Sequence, residues 1–126
     1  MNRTKEKALS FTTLSNKVEV VEWSEAPDGL SETDLLVNTT SLGMEGQPEL
    51  VLSIDALPSH AVVTDIVYSP LHTPLLLKAK ARNLHTVDGL GMLLYQAQMA
   101  FFHWFGVMPD CDHTLREYVL NTLEQA

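Results

Sequence analysis

Residues 61–87 read AVVTDIVYSPLHTPLLLKAKARNLHTV, and this stretch decides the fold class. Ala61 to Tyr68 is β-branched and apolar, the signature of a strand. It ends in SPLHTP, a turn. Thr73 followed by Pro74 is a helix N-cap followed by proline at the first helical position, so a helix is expected over Pro74 to Arg82. Asn83 falls where a left-handed C-terminal residue is needed, and asparagine tolerates that conformation. His85 to Val87 is then a brief strand. Strand, helix and strand in this order make a crossover unit, and the sheet it builds is parallel.

Downstream, Val87 to Gly106 (VDGLGMLLYQAQMAFFHWFG) is the most apolar part of the chain. Asp88 is a good N-cap, with Gly89 and Gly91 in the first turn. Leu90 to Phe105 is apolar on nearly every side, which predicts burial. A helix of that length is roughly 24 Å long, short of the roughly 20 apolar residues a bilayer span needs. Gln96 and His103 interrupt it, and with Met92 and Met99 they share one face. An amide and an imidazole on an apolar face require partners. A closing helix is expected over His113 to Glu124, with Leu115, Val119 and Leu123 as its apolar line.

Upstream, Leu35 to Val37 is a short apolar run ending in NTTSLGM, as a buried strand opening into a ligand-facing loop would. Lys17 to Trp23, KVEVVEW, alternates and is expected to be a strand. Pro48 to Leu57 has a weak helical period. Lys5 to Leu14 is expected to be a helix capped by Thr4, with Ala8, Leu9, Phe11 and Leu14 as its apolar stripe. The fold class expected is α/β: a partial Rossmann-like three-layer domain with a mostly parallel sheet, followed by C-terminal helices. Ligands in such sheets sit at the carboxyl ends of the strands, here 38–44, 66–73 and 87–91.

Composition narrows the function. The 126 residues carry a net charge of −8, which argues against nucleic acid or an anionic membrane as a general partner. The positive charge is clustered: Arg3, Lys5, Lys7 and Lys17 at one end, Lys78, Lys80 and Arg82 further on, and none between Glu19 and Asp65. The first cluster suits a small anion. One cysteine, Cys111, excludes a disulfide framework within the chain, and the polar first residues lack a signal-peptide core; both suit a cytoplasmic protein. The five histidines show no metal-ligand spacing.

Four stretches, NRTKEKA (2–8), NTTSLGM (38–44), DIVYSPLHTPLL (65–76) and VDGLGMLLYQA (87–97), together resemble the NADP-dependent shikimate dehydrogenase family, in its order and at about its spacing. The resemblance implies an oxidoreductase that interconverts shikimate and 3-dehydroshikimate with NADP, in chorismate and aromatic amino acid biosynthesis. It implies that Asn2, Arg3, Thr4 and Lys7 face the ribose 2′-phosphate. That chemistry is sound: a planar fork of donors, a hydroxyl and a second charge one turn on match a dianion. It places Asn38 and Thr39 near the nicotinamide ribose, and Ile66, Gly89 and Met92 near the nicotinamide. Tyr68 and Gln96 would contact the substrate, while His103 stays structural. Each has a plainer reading beside it: a solvated basic helix start, an Asn/Thr turn, a core tyrosine, core-filling Met92, and a tight strand-to-helix turn at Gly89.

The family's GxGGxxxA phosphate loop does not occur in these residues, and its catalytic lysine and aspartate belong to an N-terminal domain. The resemblance is therefore to a C-terminal portion: 1–88 as a partial NADP-binding domain and 89–126 as a helical segment that packs back on the catalytic domain. In the strand order 3-2-1-4-5-6 such a portion leaves the strand at 35–38 with an open apolar edge. The chain alone is then expected to be catalytically incomplete, and to self-associate or pair with a separate N-terminal piece. The alternatives are a non-catalytic remnant or interaction module with weak dinucleotide binding, or part of a quinate/shikimate dehydrogenase.

Overall fold

The computed structural model describes residues 1–123. Three parallel strands, β1 (Leu35–Asn38), β2 (Val62–Asp65) and β3 (His85–Val87), pair in the order β1-β2-β3. Leu35 lies opposite Val62, and Val62 opposite His85. Five helices accompany them: α1 (Lys5–Leu9), α2 (Ala26–Gly29), α3 (Pro74–Ala81), α4 (Gly89–Phe105) and α5 (His113–Leu123). This is the Rossmann-like α/β arrangement expected.

The central crossover forms for the reasons its sequence gives. Thr73 Oγ1 accepts a hydrogen bond from the Leu76 amide at 3.4 Å, and Pro74 opens α3. Asn83 has φ of 57°, the left-handed residue needed to leave the helix. α3 buries Leu75, Leu76 and Ala79 against Leu36 of β1 and Val63 of β2, the centre of the core. One face of the sheet is thus filled. On the other, Leu35, Val37 and Val87 are 56%, 43% and 45% exposed, and β1 is an end strand with its outer edge unpaired among the described residues, the open edge expected there.

Four local expectations are corrected. Residues 17–23 form no strand: they take no place in the sheet, and β-propensity becomes a strand only where a neighbour accepts the ladder hydrogen bonds. Residues 48–57 form no helix. Leu50, Leu52 and Ile54 are buried while Val51 between them is 90% exposed, a period of two rather than 3.6. Arg82 holds this extended segment by donating to the carbonyls of Ile54 and Leu57. The first helix is only Lys5–Leu9, followed by a 3-10 turn, Ser10–Thr13; of its stripe only Ala8 is buried. Thr4 makes no side-chain cap; instead its amide donates to Asn2 Oδ1 at 3.0 Å.

α4 departs from the burial that its hydropathy alone predicts, and leaves bare a face that the family resemblance packs on a catalytic domain. Asp88 caps it by accepting from the Leu90 amide at 3.1 Å, and Gly106 ends it in the left-handed conformation, φ 71°. Yet its buried residues are only Gly89 and Leu90. Tyr95, Phe105 and Trp104 are 59%, 63% and 77% exposed. All-round hydrophobicity reports a demand for burial, and the described residues meet it only at the first turn. Residues 107–123 turn back along α4: Gln98 Nε2 donates to the Pro109 carbonyl at 2.7 Å, and Arg116 Nη2 to Asp88 Oδ2 at 2.7 Å. Among the described residues no helix is long and apolar enough to cross a membrane. Glu124, expected to end α5, lies outside the described residues.

Candidate functional site

The carboxyl ends of β1 and β2 open into two hollows that share one wall, Thr39, Thr40 and Ser41. The first, about 490 Å³, is closed by Asn2, Arg3, Trp23 and Leu42. The second, about 380 Å³, is closed by Met44, Ile66, Val67, Tyr68, Ser69 and Met92. They form a track from a basic end at Arg3 to an apolar end at Ile66 and Met92. Arg3 and Lys7 are exposed, and among the described residues neither is paired with a carboxylate.

The shared wall is shaped by one buried network. Asn38 Oδ1 accepts from the Thr40 amide at 3.0 Å and from Thr40 Oγ1 at 2.7 Å, and Thr40 Oγ1 in turn accepts from the Leu42 amide at 3.1 Å. These local bonds turn the chain sharply as it leaves β1. Asn38 Nδ2 donates to the Leu42 carbonyl at 3.1 Å and to both carboxylate oxygens of Asp65, at 3.0 and 3.1 Å. Asp65 is 1% exposed, and it also accepts from the Val67 amide at 3.0 Å and from Thr73 Oγ1 at 2.8 Å. Glu45 closes the far rim: its amide donates to the Ser69 carbonyl at 3.0 Å, and its carboxylate accepts from Ser69 Oγ at 3.2 Å.

The structure brings together seven of the eleven residues singled out from the sequence on or beside this track. Asn2, Arg3 and Thr39 line the first hollow; Thr39, Ile66, Tyr68 and Met92 line the second. Thr4 stands next to the first hollow, half-buried. Asn38 and Gly89 lie beneath the track, buried. The Asn38 side chain is consumed by the network, so it shapes the wall from below. Lys7 and Gln96 lie outside both hollows: Lys7 is exposed on α1, and Gln96 is exposed one turn beyond Met92 on α4. Gly89 meets the need anticipated for it through protein alone. A Cβ there would sit 2.5 Å from the Ile66 carbonyl carbon and 2.6 Å from the Val67 oxygen.

Sequence reasoning missed Asp65 and Thr73 as a buried pair, and Trp23 as a wall. The signal for Asp65 was present: a carboxylate inside the apolar run AVVTDIVY needs several donors if it is buried. Among the described residues no group of three or more histidine, cysteine or acidic side chains is placed to hold a metal ion.

Residues 89–124 match the model for the Shikimate 5'-dehydrogenase C-terminal domain. A shikimate dehydrogenase (NADP(+)) of Chelativorans sp. is 60% identical over 102 residues, covering 81% of this chain and 37% of that protein. That of Dinoroseobacter shibae is 52% identical over 120 residues, 94% of this chain and 43% of that protein. Shikimate 5-dehydrogenase of Thermus thermophilus, solved with NADP(H) and shikimate, superposes with a TM-score of 0.75 at 31% identity, over 98% of this chain and 44% of that one. Quinate dehydrogenase of Corynebacterium glutamicum, solved with NAD, gives 0.81 at 30% identity, over 93% and 43%. The chain is thus a homologue of the NADP(+)-dependent shikimate dehydrogenases, spanning about two-fifths of the length of the curated relatives it matches and carrying their C-terminal domain.

Proposed function

We propose that this chain supplies the cofactor half of an NADP(H)-dependent oxidoreductase that interconverts shikimate and 3-dehydroshikimate in the cytoplasm. The observation that carries the reading is the track itself. It begins at the Arg3 guanidinium, unpaired among the described residues, passes the Thr39–Ser41 wall at the end of β1, and ends among Ile66, Tyr68 and Met92. Its two ends suit the two ends of NADP: the basic end suits the 2′-phosphate, and the apolar end suits the nicotinamide ring. When bound, the cofactor supplies a hydride acceptor or donor.

The roles then fall to named residues. Arg3 offers a bidentate donor fork to the phosphate, aided by Asn2 and Thr4. Lys7 adds charge from outside the hollow without Arg geometry, so discrimination against NAD is softer. Thr39, with Asn38 behind it, borders the ribose. Ile66 and Met92 exclude water at the ring, and Gly89 lets α4 start close beneath it. Tyr68 and Gln96 orient the substrate. Residues 1–88 form the partial cofactor domain and 89–126 the helical segment. A catalytic domain, or another copy of the chain, covers the exposed apolar side of α4. Proton transfer at the substrate hydroxyl is assigned to the lysine and aspartate of that catalytic domain, so the 126 residues alone are expected to bind without turnover.

Titration with NADPH tests this in a Trp104→Phe background, which leaves Trp23 in the first hollow as the tryptophan read by energy transfer. Saturable quenching of Trp23 emission is expected, together with no shikimate-dependent reduction of NADP. Unsaturated, linear quenching would overturn the cofactor reading, and turnover would overturn the assignment of the chemistry elsewhere. The similarity to quinate dehydrogenase at a TM-score of 0.81 supports a second reading, with quinate as substrate. Assaying both acids against the chain joined to its catalytic domain separates the two.

A further inference from the structure

We propose that Asp65 is the positioning residue of this cleft: its one carboxylate fixes the spacing between the two walls. Both walls hang from it. Through Asn38 Nδ2, at 3.0 and 3.1 Å, it holds the side chain whose Oδ1 turns the Thr39–Leu42 loop. Through the Val67 amide, at 3.0 Å, it holds the chain that carries Ile66 and Tyr68. Thr73 Oγ1, at 2.8 Å, ties the same carboxylate to the start of α3 and so to the core. Every group facing Asp65 is a donor, so the site is built for an acceptor-only side chain with lone pairs on both oxygens. The two walls belong to chain segments 27 residues apart, and direct backbone ladder bonds between β1 and β2 stop at the Ile66 amide, which donates to the Asn38 carbonyl at 3.1 Å. Beyond that point the Asp65 network holds the two walls together at their base, and the Glu45–Ser69 bonds join them only at the far rim.

The effect on the walls stands on hydrogen bonds alone; the effect on NADPH rests on the function proposed above. The test is amide hydrogen exchange on the whole chain, with NADPH titration beside it. Three amides report the network directly: Thr40 (to Asn38 Oδ1), Leu42 (to Thr40 Oγ1) and Val67 (to Asp65 Oδ1). Val62, bonded to the Asp34 carbonyl, and Leu84, bonded to that of Ala79, report the fold as a whole. In Asp65→Ala all three network amides are expected to exchange at least about tenfold faster relative to Val62 and Leu84, and the NADPH Kd to rise by about tenfold. In Asn38→Ala only Thr40 and Leu42 are expected to speed up, because Val67 keeps its carboxylate. Should Asp65→Ala not fold, Asp65→Asn carries the test: it keeps the shape but sets an amide donor among the donors of Asn38, Val67 and Thr73, and Thr40 and Leu42 are expected to exchange faster relative to Val62 and Leu84. Unchanged protection at Thr40, or equal acceleration at every amide, overturns the proposal. A wild-type chain that does not bind NADPH sinks the cofactor reading while the exchange pattern still decides the role of Asp65.

Discussion

Replacing Gly89 with alanine pits two effects of opposite sign against each other. Alanine in place of a helical glycine stabilises by about 1 kcal/mol through backbone entropy. At Gly89 the added Cβ would lie 2.5 Å from the Ile66 carbonyl carbon and 2.6 Å from the Val67 oxygen, where ordinary contact begins at 3.4 Å. The Ile66 carbonyl oxygen lies closer still, so the shortfall is at least 0.9 Å, and the atoms in the way are backbone, not the end of a flexible side chain. They also belong to the segment that Asp65 holds through Val67, so they cannot yield without breaking that bond. Against unyielding backbone the cost falls in the upper part of the usual overpacking range, about 2–3 kcal/mol, so a net loss of roughly 1–2 kcal/mol is expected. For a chain of this size that corresponds to a fall in Tm of roughly 3–10 °C. Gly91 is the internal control, because a Cβ there meets nothing within 4 Å. Gly91→Ala is expected to stabilise by about 0.4–1 kcal/mol. Urea unfolding and thermal melting followed by circular dichroism measure both. The reasoning is refuted if Gly89→Ala melts at or above wild type, or if the two variants shift in the same direction.

Asp88→Ala removes both the cap on Leu90 and the partner of Arg116, and a loss of about 1–2 kcal/mol is expected in urea unfolding, with Arg116→Met losing less. The Lys5 ammonium, hydrogen-bonded to Glu22 at 2.5 Å, titrates above its ordinary 10.5, chiefly through that bond and then through the charge of Glu22. A raised lysine stabilises below its unfolded pKa, and that contribution fades as pH rises through the folded value. Lys5→Met should therefore melt slightly below wild type at neutral pH and low salt, and together with it in strongly alkaline buffer. Trp104 and Phe105 are 77% and 63% exposed, and self-association through them is expected: sedimentation velocity should show species above the monomer, and Trp104→Glu with Phe105→Lys should reduce them.

What was legible in the sequence is what local chemistry decides. Thr73-Pro74 starts α3, Asn83 leaves it at φ 57°, and Leu35–Asn38 and His85–Val87 are strands at the expected residues. Each is fixed within a few residues of chain. The misses needed a neighbour. Residues 17–23 have strand chemistry but no ladder partner in this sheet, and residues 48–57 follow the sheet face and Arg82 rather than their own weak period. The hydropathy of α4 counts apolar area without naming what covers it, and only the family resemblance points to a cover outside these residues. At the site, Arg3, Thr39, Ile66, Tyr68 and Met92 were found through four motifs that a family shares, and they converge on one track. Asp65 was not, since its role arises from a pairing with Asn38 across 27 residues.

The account rests on the basic end of the track being the seat of the cofactor's 2′-phosphate. The direct measurement is a pair of titrations, NADPH and NADH, each against wild type and Arg3→Ala. Loss of charge-assisted hydrogen bonds to a phosphate is expected to weaken NADPH by about 10- to 100-fold and to leave NADH within about twofold. Equal weakening of both nucleotides, or of neither, would contradict it.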